Sequence, residues 1–110
     1  MEPKLISGTV EMLILEIISD SPTYGYEITQ MVGERSQGYF DLKEGSLYPA
    51  LHRMERKKLL TSSWKQMEGR RRKYYKLTLQ GKKALAAKRQ DWQEFAAGVN
   101  GVLGASYGLG

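Results

Sequence analysis

One pair of strand-like segments interrupts an otherwise helical chain, and its place in the order limits the folds open to the sequence. Residues 60–67 and 72–78 carry strand formers, among them Trp64, Tyr74, Tyr75 and Leu77, around Glu68-Gly69-Arg70-Arg71, where Gly69 suits a turn. Three helical patterns precede this hairpin and one follows it. Over residues 6–19, Ile6, Val10, Leu13, Ile14, Ile17 and Ile18 recur at three- and four-residue steps, and Met12 and Leu15 add a second apolar side. That spacing predicts a helix buried on more than one face.

Asp20-Ser21-Pro22 breaks the first pattern. Thr23 is placed to cap a second helix running to about Ser36, with Tyr24, Ile28, Met31 and Val32 inward. An extended link, Tyr39 to Leu42, leads to a third helix that starts between Lys43 and Ser46, since Pro49 is tolerated in or near a first turn. Its inward stripe is Leu47, Leu51 and Met54, which leaves Ser46, Tyr48, Pro49, His52, Arg53 and Arg56 on or near the open face. Thr78 is placed to cap a fourth helix. In it Leu85, Trp92 and Val99 repeat every seven residues, Phe95, Ala96, Val102 and Leu103 widen the stripe, and the tail after Gly101 is glycine-rich and expected to fray.

Three helices, a hairpin and a further helix describe a mainly α chain with a small β-hairpin wing. The expected architecture is an α+β winged helix-turn-helix over residues 1–78, followed by a C-terminal dimerisation helix and glycine-rich tail over 79–110. A chain of 110 residues makes one domain with a modest core, which a second copy would help to complete. The chain has no cysteine, so disulfides and thiolate metal sites are excluded and a reducing cytoplasm fits. With one histidine and no clustered carboxylates, neither an enzyme nor a metal site nor a cofactor is expected. Ser62 and Lys65 have an S-x-x-K spacing, but it falls in a strand and lacks its companion motifs. No targeting signal is visible, and the longest aliphatic run near the N-terminus, Met12 to Leu15, is too short to span a bilayer.

Charge is strongly polarised along the chain. Residues 43–83 hold thirteen of the seventeen basic side chains against three acids (Glu44, Glu55 and Glu68), a net +10, whereas residues 1–42 hold two bases against seven acids. Such segregation creates an attractive field for a polyanion. A helix fits the major groove of duplex DNA. On the third helix, Arg53 suits a bidentate contact to guanine, and His52 and Ser46 reach base edges or phosphate. Tyr48 and Pro49 suit a thymine methyl or a sugar, although Tyr48 packed half-buried against its own domain is an open alternative. The early amides of this helix, and of the second near Tyr24 and Gly25, are placed for phosphates. Arg70, Arg71, Arg72 and Lys73 form a phosphate clamp on the wing, with one arginine a candidate for the minor groove. The competing reading is a winged-helix protein–protein docking module that sets the same basic face on an acidic partner.

The segments TYGYEI at 23–28, GSLYPALHRMERKKLL at 45–60 and GRRRKYYKLTLQG at 69–81 together resemble the PadR-like transcriptional regulators, in order and over most of residues 5–81. The single helix after the wing is similar to the smaller PadR subfamily. The resemblance implies a homodimeric bacterial repressor on a palindromic double-stranded operator, with the first and last helices building the dimer and an effector changing the spacing of its reading heads. The two-sided first helix and the heptad stripe on the last independently call for partners, and the expected interface or effector residues are Met12, Leu85, Trp92, Phe95, Ala96 and Val99. Two-fold symmetry beside Trp92 would leave a slot for a planar aromatic compound, a role that the resemblance implies. Plain packing of that ring is the alternative.

Overall fold

In the computed structural model, residues 3–104 are described, with side chains from residue 8 onward. The side chain of Ile6 and the tail beyond Gly104 lie outside the described residues. The chain runs α1 (Pro3–Asp20), β1 (Thr23–Tyr24), α2 (Gly25–Arg35), α3 (Glu44–Arg56), β2 (Leu60–Met67), β3 (Arg70–Leu77) and α4 (Leu79–Leu103). The expected winged helix-turn-helix with an appended helix is present, and α4 is unbroken through Gly98 and Gly101 until Gly104, at φ 72°, closes it in the left-handed region.

Helix α1 forms the centre of the core because its two apolar sides meet different neighbours. Ile14, Leu15, Ile17 and Ile18 are buried together with Ile28 and Val32 of α2, Leu47, Ala50, Leu51 and Met54 of α3, Tyr75 and Leu77 of β3 and Leu85 of α4. Each large aliphatic buried this way stabilises the fold by about 1.5–3 kcal/mol relative to exposure.

Two expectations need correction. Thr23 does not cap α2; it lies in a two-residue strand whose register pairs Thr23 with Tyr75 and Tyr24 with Tyr74, and its hydroxyl donates to the Ser21 carbonyl. Tyr24 is the N-cap residue and contributes no side-chain hydrogen bond. The hairpin turn is also tighter than expected: Met67 pairs with Arg70, so only Glu68 and Gly69 form the loop and Arg70 and Arg71 belong to β3. Both loop residues have positive φ, 53° and 77°, as a type I′ turn requires and as suits the twist of the flanking strands. The sheet order is β1-β3-β2, antiparallel throughout.

Helix α3 begins within the expected interval, at Glu44, but Pro49 stands in its second turn rather than its first. Proline there removes the N–H that would reach the Gly45 carbonyl, which is tolerable because Gly45 and Pro49 both face solvent.

The joint between β3 and α4 is closely built. Thr78 caps α4 as expected: its Oγ1 accepts from the Gly81 N–H at 3.0 Å and donates to the Lys58 carbonyl at 2.7 Å. Gly81 lies so near the backbone just before β2 that a Cβ there would come within 2.0 Å of the Leu59 carbonyl oxygen. From this joint α4 passes over α1 and projects beyond the core, and the molecule measures 53 × 28 × 24 Å.

Candidate nucleic-acid interface

The open face of α3 follows from which of its residues the core takes. Burial of Leu47, Ala50, Leu51 and Met54 leaves Gly45, Pro49, His52 and Arg56 along the opposite side, all exposed. Ser46 is also exposed, at the start of the helix. Arg56 therefore stands in the strip beside His52, a position that its open-face spacing announced.

Tyr48 and Arg53 lie on opposite flanks of that strip. Tyr48 is 37% exposed, with its ring packed over Gly25 at the start of α2. A Cβ on Gly25 would meet the Tyr48 hydroxyl oxygen at 2.5 Å, so glycine is what lets the tyrosine settle there. Tyr48 thus packs half-buried against its own domain, the alternative left open for it, and keeps an exposed edge. Arg53 is drawn the other way, toward α1, where its Nε lies 3.5 Å from the Glu11 carboxylate. The starts of α2 and α3 come together around a cleft of about 270 Å³ lined by Gly25, Tyr26, Thr29, Lys43, Leu47 and Tyr48, among others. No side chain caps either helix at its start, leaving early N–H groups directed outward.

The basic run of the wing is divided by the alternation of a strand. Arg72 shares a face with Tyr74; its guanidinium lies 4.4 Å from the centre of the Tyr24 ring, and Tyr24 meets Tyr74 edge-on at 5.3 Å. Arg71 and Lys73 share the face of Tyr75. Arg71 lies over Trp64 at 4.8 Å, while Lys73 is 3.7 Å from Glu55, which also accepts a hydrogen bond from Ser62. Arg70 stands exposed beside the turn. The four cations therefore do not form a single cluster: Arg70 and Arg71 are exposed, and Arg72 and Lys73 are half-buried. Trp64, 56% exposed beneath Arg71, is a surface aromatic whose strand position alone did not mark it for a role.

Of the residues expected at an interface or effector site, Leu85 is buried in the core, Met12 packs half-buried against it and Ala96 is partly covered. Trp92, Phe95 and Val99 are 48%, 41% and 40% exposed, and the Trp92 and Phe95 rings lie 5.7 Å apart at a tilt. Phe95, Gly98, Val99, Val102 and Leu103 line a shallow apolar surface at the far end of α4. Among the described residues no group of acidic, histidine or cysteine side chains could hold a metal ion, and no helix is long and apolar enough to cross a membrane.

Residues 14–87 match the family model of the transcriptional regulator PadR-like family. A transcriptional regulator of Mycobacterium tuberculosis is 36% identical over 103 residues, covering 94% of each chain. Among solved structures, a PadR family transcription regulator of Clostridium difficile is 42% identical, with a TM-score of 0.75 over 86% of this chain and 97% of the other. A PadR-like transcriptional regulator of Bacillus cereus is 35% identical, with a TM-score of 0.78 over 91% and 96%.

Proposed function

Since the chain belongs to the PadR-like family of transcriptional regulators, we propose that it acts as a homodimeric repressor on a palindromic operator in the bacterial cytoplasm, relieved by a small aromatic or drug-like effector. Residues 1–78 are the reading head and residues 79–110 hold two heads at a fixed spacing. The observation that carries the reading is the exposed strip of α3 together with an arginine-bearing wing on the same polypeptide. Ser46, Pro49, His52 and Arg56 face the major groove, with Tyr48 and Arg53 at its edges. Tyr24 and Gly25 bring the start of α2 to the phosphates. Arg70 and Arg71 hold the backbone, while Arg72 and Lys73 also brace the wing against Tyr24 and Glu55.

Dimerisation is supported by the exposed apolar surface of α4, which a second copy of the same helix would cover. Trp92 and Phe95 stand at the edge of that surface, where a planar compound inserted between two copies would stack on them. Fluorescence titration with planar cationic dyes tests this: quenching at micromolar dye supports the effector site, and no quenching leaves Trp92 as packing.

Selection of bound sites from a random duplex pool tests the central reading. The expected product is a two-fold-symmetric sequence with half-sites about ten base pairs apart. A single asymmetric site, or no enrichment, would refute it. Replacing Arg70 and Arg71 with alanine lowers affinity and makes log K less dependent on log salt, by about 0.9 for each phosphate no longer neutralised.

A further inference from the structure

We infer that Glu11 is a positioning residue for DNA binding, a single carboxylate shared between α3 and α4, so that its pair with Lys88 sets how freely Arg53 reaches DNA. This rests on the DNA-binding reading above. Among the described residues, Glu11 is the one charged side chain that is buried, at 7% exposure, and it lies on α1 between the two helices. One carboxylate oxygen faces Arg53 Nε at 3.5 Å and the other faces Lys88 Nζ at 3.4 Å. A buried carboxylate needs compensating charge, and here two cations share the task.

Both distances are longer than the 2.7–2.9 Å usual for a tight charge-assisted hydrogen bond. Arg53 is thus held loosely, and its side chain remains 41% exposed on the flank of the open strip. A phosphate or a guanine edge competes with Glu11 for it. The outcome depends on how much of the Glu11 charge Lys88 already neutralises, because a carboxylate that loses one cation in a low-dielectric site holds the other more strongly. Lys88 lies on α4, so a shift of that helix reaches the arginine of α3 without any change in the path of α3. A second ion pair between α1 and α4, Arg89 with Glu16 at 3.0 Å, has no link to α3 and provides the control.

The test is fluorescence anisotropy of a labelled random-sequence duplex over a series of salt concentrations, with thermal melts of each variant. Glu11→Gln frees Arg53: affinity rises roughly three- to tenfold and the log K against log salt slope steepens by up to about 0.9. Lys88→Met leaves Glu11 to Arg53 alone: affinity falls and the slope flattens by a similar amount. Both substitutions break the Glu11–Lys88 pair, so a merely structural role for Glu11 would move both in the same direction. Both effects disappear in an Arg53→Met background, and Arg89→Met does not reproduce the flattening.

The inference is overturned if the two variants shift binding in the same direction, if either effect persists without Arg53, or if Arg89→Met matches Lys88→Met. Should Glu11→Gln melt below the assay temperature, the comparison of Lys88→Met with Arg89→Met, each with and without Arg53, decides alone. Wild-type protein that leaves duplex DNA unbound at low salt removes the DNA reading and this inference together, whereas wild-type binding with neutral variants removes only the inference.

Discussion

The two halves of α4 are one helix in two different environments. In the first half, Gly81 lies against the Leu59 backbone, Leu85 is buried in the core, and Lys88 and Arg89 are paired with α1. In the second half, Val102 is 89% and Leu103 73% exposed, and Trp92, Phe95 and Val99 are nearly half so. The core is complete without the second half, so folding of the body does not account for its apolar residues. Helix propensity does not account for them either, since Gly98 and Gly101 each weaken the helix by about 1 kcal/mol relative to alanine. Apolar residues kept in a projecting helix under those conditions are suited to a surface outside the subunit.

Substitutions that distinguish the halves sharpen this contrast. The largest effect is expected for Gly81→Ala: the clashing atom is backbone and cannot swing away, so stability should fall by about 4 kcal/mol, or roughly 20 °C in Tm, in a thermal melt followed by circular dichroism. Leu85→Ala empties a buried site and should cost about 3 kcal/mol by urea unfolding. Val99→Asp should leave the body folded but weaken self-association by more than about tenfold in sedimentation, because two-fold pairing would bring two carboxylates together. If Val99→Asp instead lowered the Tm independently of protein concentration, the second half would belong to the body and the contrast would fail. Thr78→Ala, which removes the cap of the first half, should cost about 1 kcal/mol.

A smaller effect is expected at high pH. Burial, with Glu55 and Tyr48 nearby, raises the Tyr75 hydroxyl above its ordinary value of 10.0. The folded state therefore keeps the proton longer than the unfolded chain. Its contribution is complete below pH 10 and is lost as pH rises through the folded value. Tyr75→Phe should flatten the decline in stability above pH 10, measured by urea unfolding at successive pH values.

Most of this arrangement is legible in local sequence pattern. The inward faces of α2 and α3 follow from Ile28, Val32, Leu47, Leu51 and Met54, and the strand β2 from its composition and the turn after it. Features that depend on distant partners are not legible. Thr23 resembles a helix cap, and only its pairing with Tyr75 makes it a strand residue. Arg70 and Arg71 read as part of the turn segment around Gly69, although Glu68-Gly69 alone completes the turn. In the candidate site, the open-face residues of α3 follow from helical spacing. The lean of Arg53 toward Glu11 and the stacking of Arg72 on Tyr24 need the folded positions of α1 and β1.

The anchoring of α4 also has a mechanical consequence. With the α1 ion pairs holding α4 as far as Arg89, its outer half is a lever, and the portion beyond Arg89 is about 21 Å long at 1.5 Å per residue. Tilting that portion by about 10° carries its tip about 3.6 Å, close to the 3.4 Å rise of one base step. A bend of about ten degrees there is therefore already a displacement on the scale of DNA register.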